Sequence, residues 1–163
     1  MRVEGRLPAD RSRWGDLSVL GDDGTVLFGP RPYRGKADSQ AATAHGNPTR
    51  DPLQPFGDHP SGTYLVTEVV AIDPGDAGQY RKFGPYKLRL DPVAGDALQA
   101  ARNGRTDLLL HGGAPGTPGT ANELRASNGC GRTADETIAG IAALVAPELA
   151  SGRAVLYTCE STI

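Results

Sequence analysis

Apolar and polar residues alternate in short runs along most of this chain, and Gly, Pro and Asp clusters separate the runs. That is the pattern of strands and turns rather than of long helices. Trp14 to Tyr33 reads as a hairpin, in which Leu17 and Val19, then Val26 and Phe28, flank the turn signal Gly21-Asp22-Asp23-Gly24. Residues 62–72 (GTYLVTEVVAI) are rich in β-branched and aromatic side chains and predict a strand, which Asp73-Pro74-Gly75-Asp76 ends as a turn. Tyr86, Leu88 and Leu90 alternate with Lys87 and Arg89, as in a half-exposed strand. Leu108, Leu109 and Leu110 form a short buried run that ends on His111, and residues 154–158 (AVLYT) form a last buried strand.

Helical signals are fewer. Residues 92–103 read as one short helix, with Pro92 early and Gly104 after its end. Thr133-Ala134-Asp135-Glu136 has the form of a capping box, and Ile138, Ile141, Val145 and Leu149 then recur at helical spacing. Pro147 is expected to end or kink that helix. Between Pro30 and Ser61 only residues 37–46 suggest a helix. Irregular stretches of this length in compact domains often carry function. His45 and His59 lie there and read as surface or loop histidines that can contribute to a binding wall.

A chain of 163 residues suits one domain with a real core, and 22 glycines with 13 prolines favour a β-rich fold over a helical bundle. Residues 1–14 read as an N-terminal extension and 15–163 as the domain. A net charge of −2 supplies no basic patch, so nucleic acid is not an expected partner. No apolar run approaches the roughly 20 residues of a membrane span. The first fifteen residues (MRVEGRLPADRSRWG) are charged and lack the apolar centre of a Sec-type signal peptide.

The candidate chemistry lies between Asp107 and Arg132. A histidine at a strand exit and a cysteine between two glycines are the two halves of a Cys/His nucleophilic site. Cys130 reads as sitting just before a helix start, where the helix dipole would favour its thiolate. Gly129 and Gly131 let the backbone turn its N–H groups toward one spot, as an oxyanion hole requires. Gly112 and Gly113 leave room beside His111, and a carbonyl there can hold the imidazole tautomer in place of a carboxylate. The loop 112–126 has the length of a lid.

His111-Gly112, a loop of about fifteen residues, and Ser127-Asn128-Gly129-Cys130-Gly131-Arg132 resemble the signature of the L,D-transpeptidase (YkuD-type) catalytic domain family. That family reads Ser-His-Gly-Cys-(Ile/Val)-Arg, so Asn128 and Gly131 are departures. Pro60-Ser61-Gly62-Thr63-Tyr64 is similar to the family's Thr-Pro-x-Gly-x-Tyr/Phe segment. The resemblance covers about residues 15–160. It implies a mainly β, YkuD-like β-sandwich with one or two helices and no cofactor or metal. It implies Cys130 as nucleophile and His111 as base. Gly129, Gly131, Gly112 and Ser127 would shape the site, and Arg132, Asn128 and Tyr64 would contact substrate. Arg132 can equally brace the loop.

The substrate so implied is a peptidoglycan stem peptide, cut by transpeptidation or carboxypeptidation through a thioester. Small size and the missing signal are similar to short effectors injected into rival bacteria. That places synthesis in the cytoplasm, action in the periplasm or envelope after delivery by a dedicated secretion system, and an immunity or secretion protein among the partners. Two alternatives stay open: a β-sandwich binding module with a degenerate Cys/His pair, and a cytoplasmic cysteine peptidase recycling wall peptides. A serine nucleophile at Ser127 lacks the elbow pattern, and His111, Cys130 and Cys159 lack zinc-ligand spacing. Cys159 reads as structural or incidental.

Overall fold

The computed structural model describes residues 1–116, 120 and 123–163. Its eight strands are β1 (Arg2–Pro8), β2 (Gly15–Leu20), β3 (Val26–Arg34), β4 (Gly62–Ala71), β5 (Tyr86–Ala94), β6 (Leu109–His111), β7 (Gly131–Thr133) and β8 (Leu156–Thr162). They form a closed barrel in the order β1-β2-β3-β7-β6-β5-β4-β8. Two of the pairings, β1 with β8 and β6 with β7, are parallel, and the others are antiparallel. Four helices accompany them: α1 (Ser39–Ala44), α2 (Ala77–Phe83), α3 (Asp96–Arg102) and α4 (Asp135–Ala150).

The expected mainly β content is present, but the architecture is a closed mixed barrel and not an open sandwich with one or two helices. The difference lies largely in β1, which comes from residues read above as an extension ahead of the domain. Val3 and Leu7 are fully buried, while Arg2, Glu4 and Arg6 alternate with them and pair on the outer face. The intervening inward position is Gly5, where a Cβ would meet the Tyr33 hydroxyl at 2.1 Å. Charge therefore masks a strand whose inward side is kept narrow to admit a tyrosine. By pairing with β2 on one side and β8 on the other, β1 removes both sheet edges.

Other boundaries shift for local reasons. β5 runs through Pro92 to Ala94, so α3 begins only at Asp96. α2, which the apolar pattern does not announce, is capped by the Asp76 carboxylate accepting from the Gln79 N–H at 3.2 Å. The capping box ahead of α4 does not form. Thr133 belongs to β7 and its hydroxyl donates to the Pro32 carbonyl, while Ala134 is the N-cap. Pro147 lies inside α4, which continues to Ala150. The buried face of α4 (Ile138, Ile141 and Val145) joins one apolar cluster with Val3, Leu17, Tyr33, Leu88 and Leu110 from the strands.

Candidate functional site

The parallel pairing of β6 and β7 builds the site. Leu110 faces Gly131 and His111 faces Arg132 across the two strands. Side chains alternate along a strand, so Leu109, His111, Cys130 and Arg132 fall on one face while Leu110 and Gly131 fall on the other. That second face is the core: a Cβ on Gly131 would come within 2.8 Å of Leu110 and contact Tyr33. The first face lines a cavity of about 640 Å³, together with Lys82, Phe83, Arg105, Asp107, Ser127 and Asn128. His111 and Cys130, predicted as base and nucleophile, thus share one cavity.

His111 is held from several directions. Its backbone is paired with Lys87 on one side and Arg132 on the other. The Phe83 ring meets its imidazole edge-on at 5.2 Å. Nδ1 lies 2.6 Å from the Gly112 carbonyl oxygen. A carbonyl oxygen only accepts, so Nδ1 carries the hydrogen and Nε2 keeps its lone pair. Burial, followed by the nearby Arg132 charge, pushes the imidazole pKa down to about 4. The ring is therefore neutral at physiological pH.

Cys130 is partly exposed to the cavity, and its thiol lies 3.8 Å from the Asp107 carbonyl. The expected helix N-terminus is not there: β7 intervenes and α4 starts only at Asp135. Crowding by the surrounding protein pushes the thiol pKa up, against a backbone hydrogen bond from Leu109 and the charges of Arg105, Arg132 and Lys82. The resting pair is a thiol and a neutral imidazole rather than a thiolate and an imidazolium.

The glycines and Ser127 shape the loop. The Ser127 hydroxyl donates to the Cys130 carbonyl at 2.9 Å and accepts from the Gly129 N–H at 3.2 Å. The Gly112 N–H donates to the Phe83 carbonyl. Those two amides are committed, so Gly129 and Gly112 serve the site by shape and not as free oxyanion donors. Gly129 has φ of 96°, and a Cβ on it would lie 2.0 Å from the Arg105 guanidinium. The Asp135 carboxylate accepts from the Gly113 N–H at 2.7 Å.

Arg132 is buried. Its guanidinium donates to the Arg125 and Ala126 carbonyls and, at 3.5 Å, to that of Lys82, while its Nε has no partner among the described residues. Bracing the loop is thus what its hydrogen bonds do. Asn128 is exposed at the cavity wall. Tyr64 is a correction: it is fully buried away from the cavity, with its hydroxyl on the Pro60 carbonyl and its ring stacked on His59 at 5.5 Å.

His59 also departs from its expected place at the surface. It is fully buried, with Nδ1 2.9 Å from the Gly129 carbonyl and Nε2 3.1 Å from the Tyr157 hydroxyl. His45 is exposed and stacks on Phe56 at 3.7 Å, behind the cavity wall. Sequence reasoning also passed over Arg105. This arginine is buried and donates to the Pro52, Gly57 and Asp58 carbonyls and, at 3.5 Å, to that of Gly129. Neither His59 nor Arg105 belongs to a periodic run; His59 lies in the irregular segment between Pro30 and Ser61, and Arg105 in the short connection between α3 and β6.

Cys159 is a buried free thiol 3.6 Å from the Tyr33 hydroxyl. Among the described residues no group of three or more His, Cys, Asp or Glu side chains is placed to hold a metal ion. Among them, too, no helix is long and apolar enough to cross a membrane. The lid reading of loop 112–126 falls partly outside the described residues. Its described ends are joined by a bridge between Pro115 and Leu124.

No family model matches the sequence, and no curated protein matches it. Solved structures similar in shape include the following two. Bd1075 of Bdellovibrio bacteriovorus aligns with 96% of this chain at 14% identity and a TM-score of 0.48, over 47% of its own length. The helical cell shape determining protein Pgp2 from Campylobacter jejuni aligns with 99% of this chain at 15% identity and a TM-score of 0.49, over 48% of its own length. The chain spans about half the length of each.

Proposed function

We propose that this chain is a cysteine-dependent L,D-transpeptidase or L,D-carboxypeptidase acting on peptidoglycan stem peptides. The observation that carries the reading is the shared face of β6 and β7. It puts Cys130 and His111 in one cavity, with His111 fixed by the Gly112 carbonyl in the tautomer that accepts a proton at Nε2. The signature around these two residues, quoted above, supplies the substrate class.

The chemistry follows from the resting state. Nε2 of His111 takes the Cys130 proton as the sulfur attacks the amide carbonyl carbon, so a thiolate need not exist beforehand. The carbonyl π-electrons move to oxygen and return as the C–N bond breaks. The imidazolium gives its proton to the departing amine, which leaves as a D-amino acid. A thioester to Cys130 remains. An acceptor amine then attacks the thioester carbon, loses its proton to Nε2 of His111, and forms a new amide as the C–S bond breaks and the imidazolium returns that proton to the Cys130 sulfur; water does the same to form an acid. Lys82, Arg105 and Arg132 outnumber Asp38 and Asp107 around the cavity, which favours a substrate bearing carboxylates.

The test is mass spectrometry of the purified protein mixed with a disaccharide-tetrapeptide, beside Cys130→Ala. Loss of D-alanine, or its exchange for an added D-amino acid, only with the native protein is the expected result. An unchanged tetrapeptide with both proteins would remove the reading and leave a binding module whose thiol is inert.

A further inference from the structure

A line of polar groups runs through the otherwise apolar barrel interior. The Cys159 thiol lies 3.6 Å from the Tyr33 hydroxyl, which lies 3.4 Å from that of Tyr157. The Tyr157 hydroxyl lies 3.1 Å from Nε2 of His59, and Nδ1 of His59 lies 2.9 Å from the Gly129 carbonyl. The last acceptor fixes the direction of the whole line. Since the Gly129 oxygen cannot donate, His59 donates from Nδ1 and accepts at Nε2 from Tyr157. Tyr157 is then free to accept from Tyr33, and Tyr33 from Cys159. Every link is satisfied in one sense only, and such chains strengthen one another in a low-dielectric interior.

The line ends on the residue before the proposed nucleophile. Arg105 reaches the same Gly129 oxygen at 3.5 Å, and Ser127 holds the Gly129 N–H from the other side. In a trans peptide the C=O and the following N–H point in opposite directions. Turning the Gly129 carbonyl toward His59 therefore turns the Cys130 N–H away from the interior. The Gly129 φ of 96° is part of this arrangement.

We infer that His59 is a positioning residue for the site: its Nδ1–H holds the Gly129 carbonyl inward, and so fixes the peptide that carries Cys130. This rests on the acyl-transfer reading for its consequence to catalysis, though not for its geometry. His59 touches neither substrate nor the reacting atoms. Its effect passes through one backbone hydrogen bond.

The experiment compares native protein with His59→Asn, His59→Leu and Tyr157→Phe. An Asn amide nitrogen stands as many bonds from Cα as Nδ1 does, so it can still donate to Gly129, whereas Leu cannot. In His59→Leu the Gly129 amide should exchange with solvent about tenfold faster relative to the core amides of Leu88 and Leu110. In His59→Asn that ratio should stay within about threefold of native. With the disaccharide-tetrapeptide, kcat should fall by about 10² in His59→Leu with KM little changed, and recover in His59→Asn. Nitrogen chemical shifts of the native protein should show His59 as the Nδ1–H tautomer, and Tyr157→Phe should weaken that preference. A native Nε2–H tautomer overturns the inference, as does a Gly129 exchange rate that moves only with the core. If His59→Leu does not fold, the tautomer and Tyr157→Phe decide. If native protein leaves the tetrapeptide intact, the proposed function falls while exchange and tautomer still judge His59.

Discussion

Nδ1 of His111 lies 2.6 Å from the carbonyl oxygen of Gly112, the next residue in the same chain. The group that orients the imidazole is thus tied to it by backbone bonds and needs no carboxylate brought from elsewhere in the fold. The Gly112 N–H is in turn held by the Phe83 carbonyl, so the turn and the ring that packs on His111 are locked together.

His111→Ala should therefore lose the proton acceptor without disturbing the barrel. We expect kcat on the tetrapeptide to fall by about 10²–10⁴ with KM changed only slightly. Steady-state kinetics beside a circular dichroism melt would check this. An unchanged kcat would remove His111 from the mechanism.

The thiol of the free protein should behave as a raised one. Crowding lifts its pKa despite the Leu109 hydrogen bond and the nearby cations. Alkylation of Cys130 by iodoacetamide should accelerate roughly tenfold per pH unit from pH 6 to pH 9, because only thiolate reacts. Intact-mass kinetics at fixed reagent would show it. A rate plateau below pH 7 would indicate a preformed thiolate–imidazolium pair instead.

Acid should weaken the fold through two histidines. Burial is the first cause of both shifts, taking His59 from 6.5 to about 3 and His111 from 6.5 to about 4. Between 6.5 and those values the unfolded chain binds protons that the folded chain does not. Stability is therefore full above pH 6.5 and is lost as pH falls below it. Each histidine contributes up to about 1.4 kcal/mol per pH unit over that window. Urea titrations at pH 7.5 and 4.5 should show the loss, and His59→Asn should reduce it. Equal midpoints at the two pH values would count against neutral burial.

Two glycines with similar backbones should respond differently to alanine. Gly24 has φ of 83° and nothing within 4 Å of an added Cβ, whereas at Gly129 that atom would lie 2.0 Å from Arg105 and 2.1 Å from the Gly57 carbonyl. Gly24→Ala should cost about 1 kcal/mol from left-handed strain alone. Gly129→Ala should cost about 2 kcal/mol or more and abolish turnover, since it adds a clash with backbone. Thermal melts of the two variants would separate strain from crowding, and equal losses would refute the distinction.

That His111 and Cys130 lie on one cavity was foreshadowed by short local signals: a leucine run that stops on a histidine, and a cysteine between glycines. The carbonyl that orients His111 was legible too, from the glycines behind it. What could not be read was the partner of each polar residue across the fold. Tyr64 follows a motif-like Pro-Ser-Gly-Thr, yet its ring turns inward because β4 alternates that position into the core. His59 and Arg105 stand in irregular sequence, where no period reveals burial, and both reach Gly129 from distant segments. The barrel itself was hidden by β1, whose two apolar side chains are outnumbered by charges. The helix dipole at Cys130 was a misreading of three residues, which became β7 by pairing with β3 and β6.

β8 lies between β1 and β4, and it is the last of the described strands to be synthesised. Until then β1 and β4 each present an unpaired side, and the first strand must wait for a partner more than 150 positions later in the chain. Pairings so remote in sequence are slow to find. The nascent chain therefore passes through a stage with two open, adhesive rims, during which binding by a holdase or a neighbouring chain competes with closure. Only when Leu156 to Thr162 slots in does Tyr157 arrive beneath His59. The hydrogen-bonded line behind Gly129 therefore waits on β8, and a chain stalled before that pairing would hold Cys130 without it.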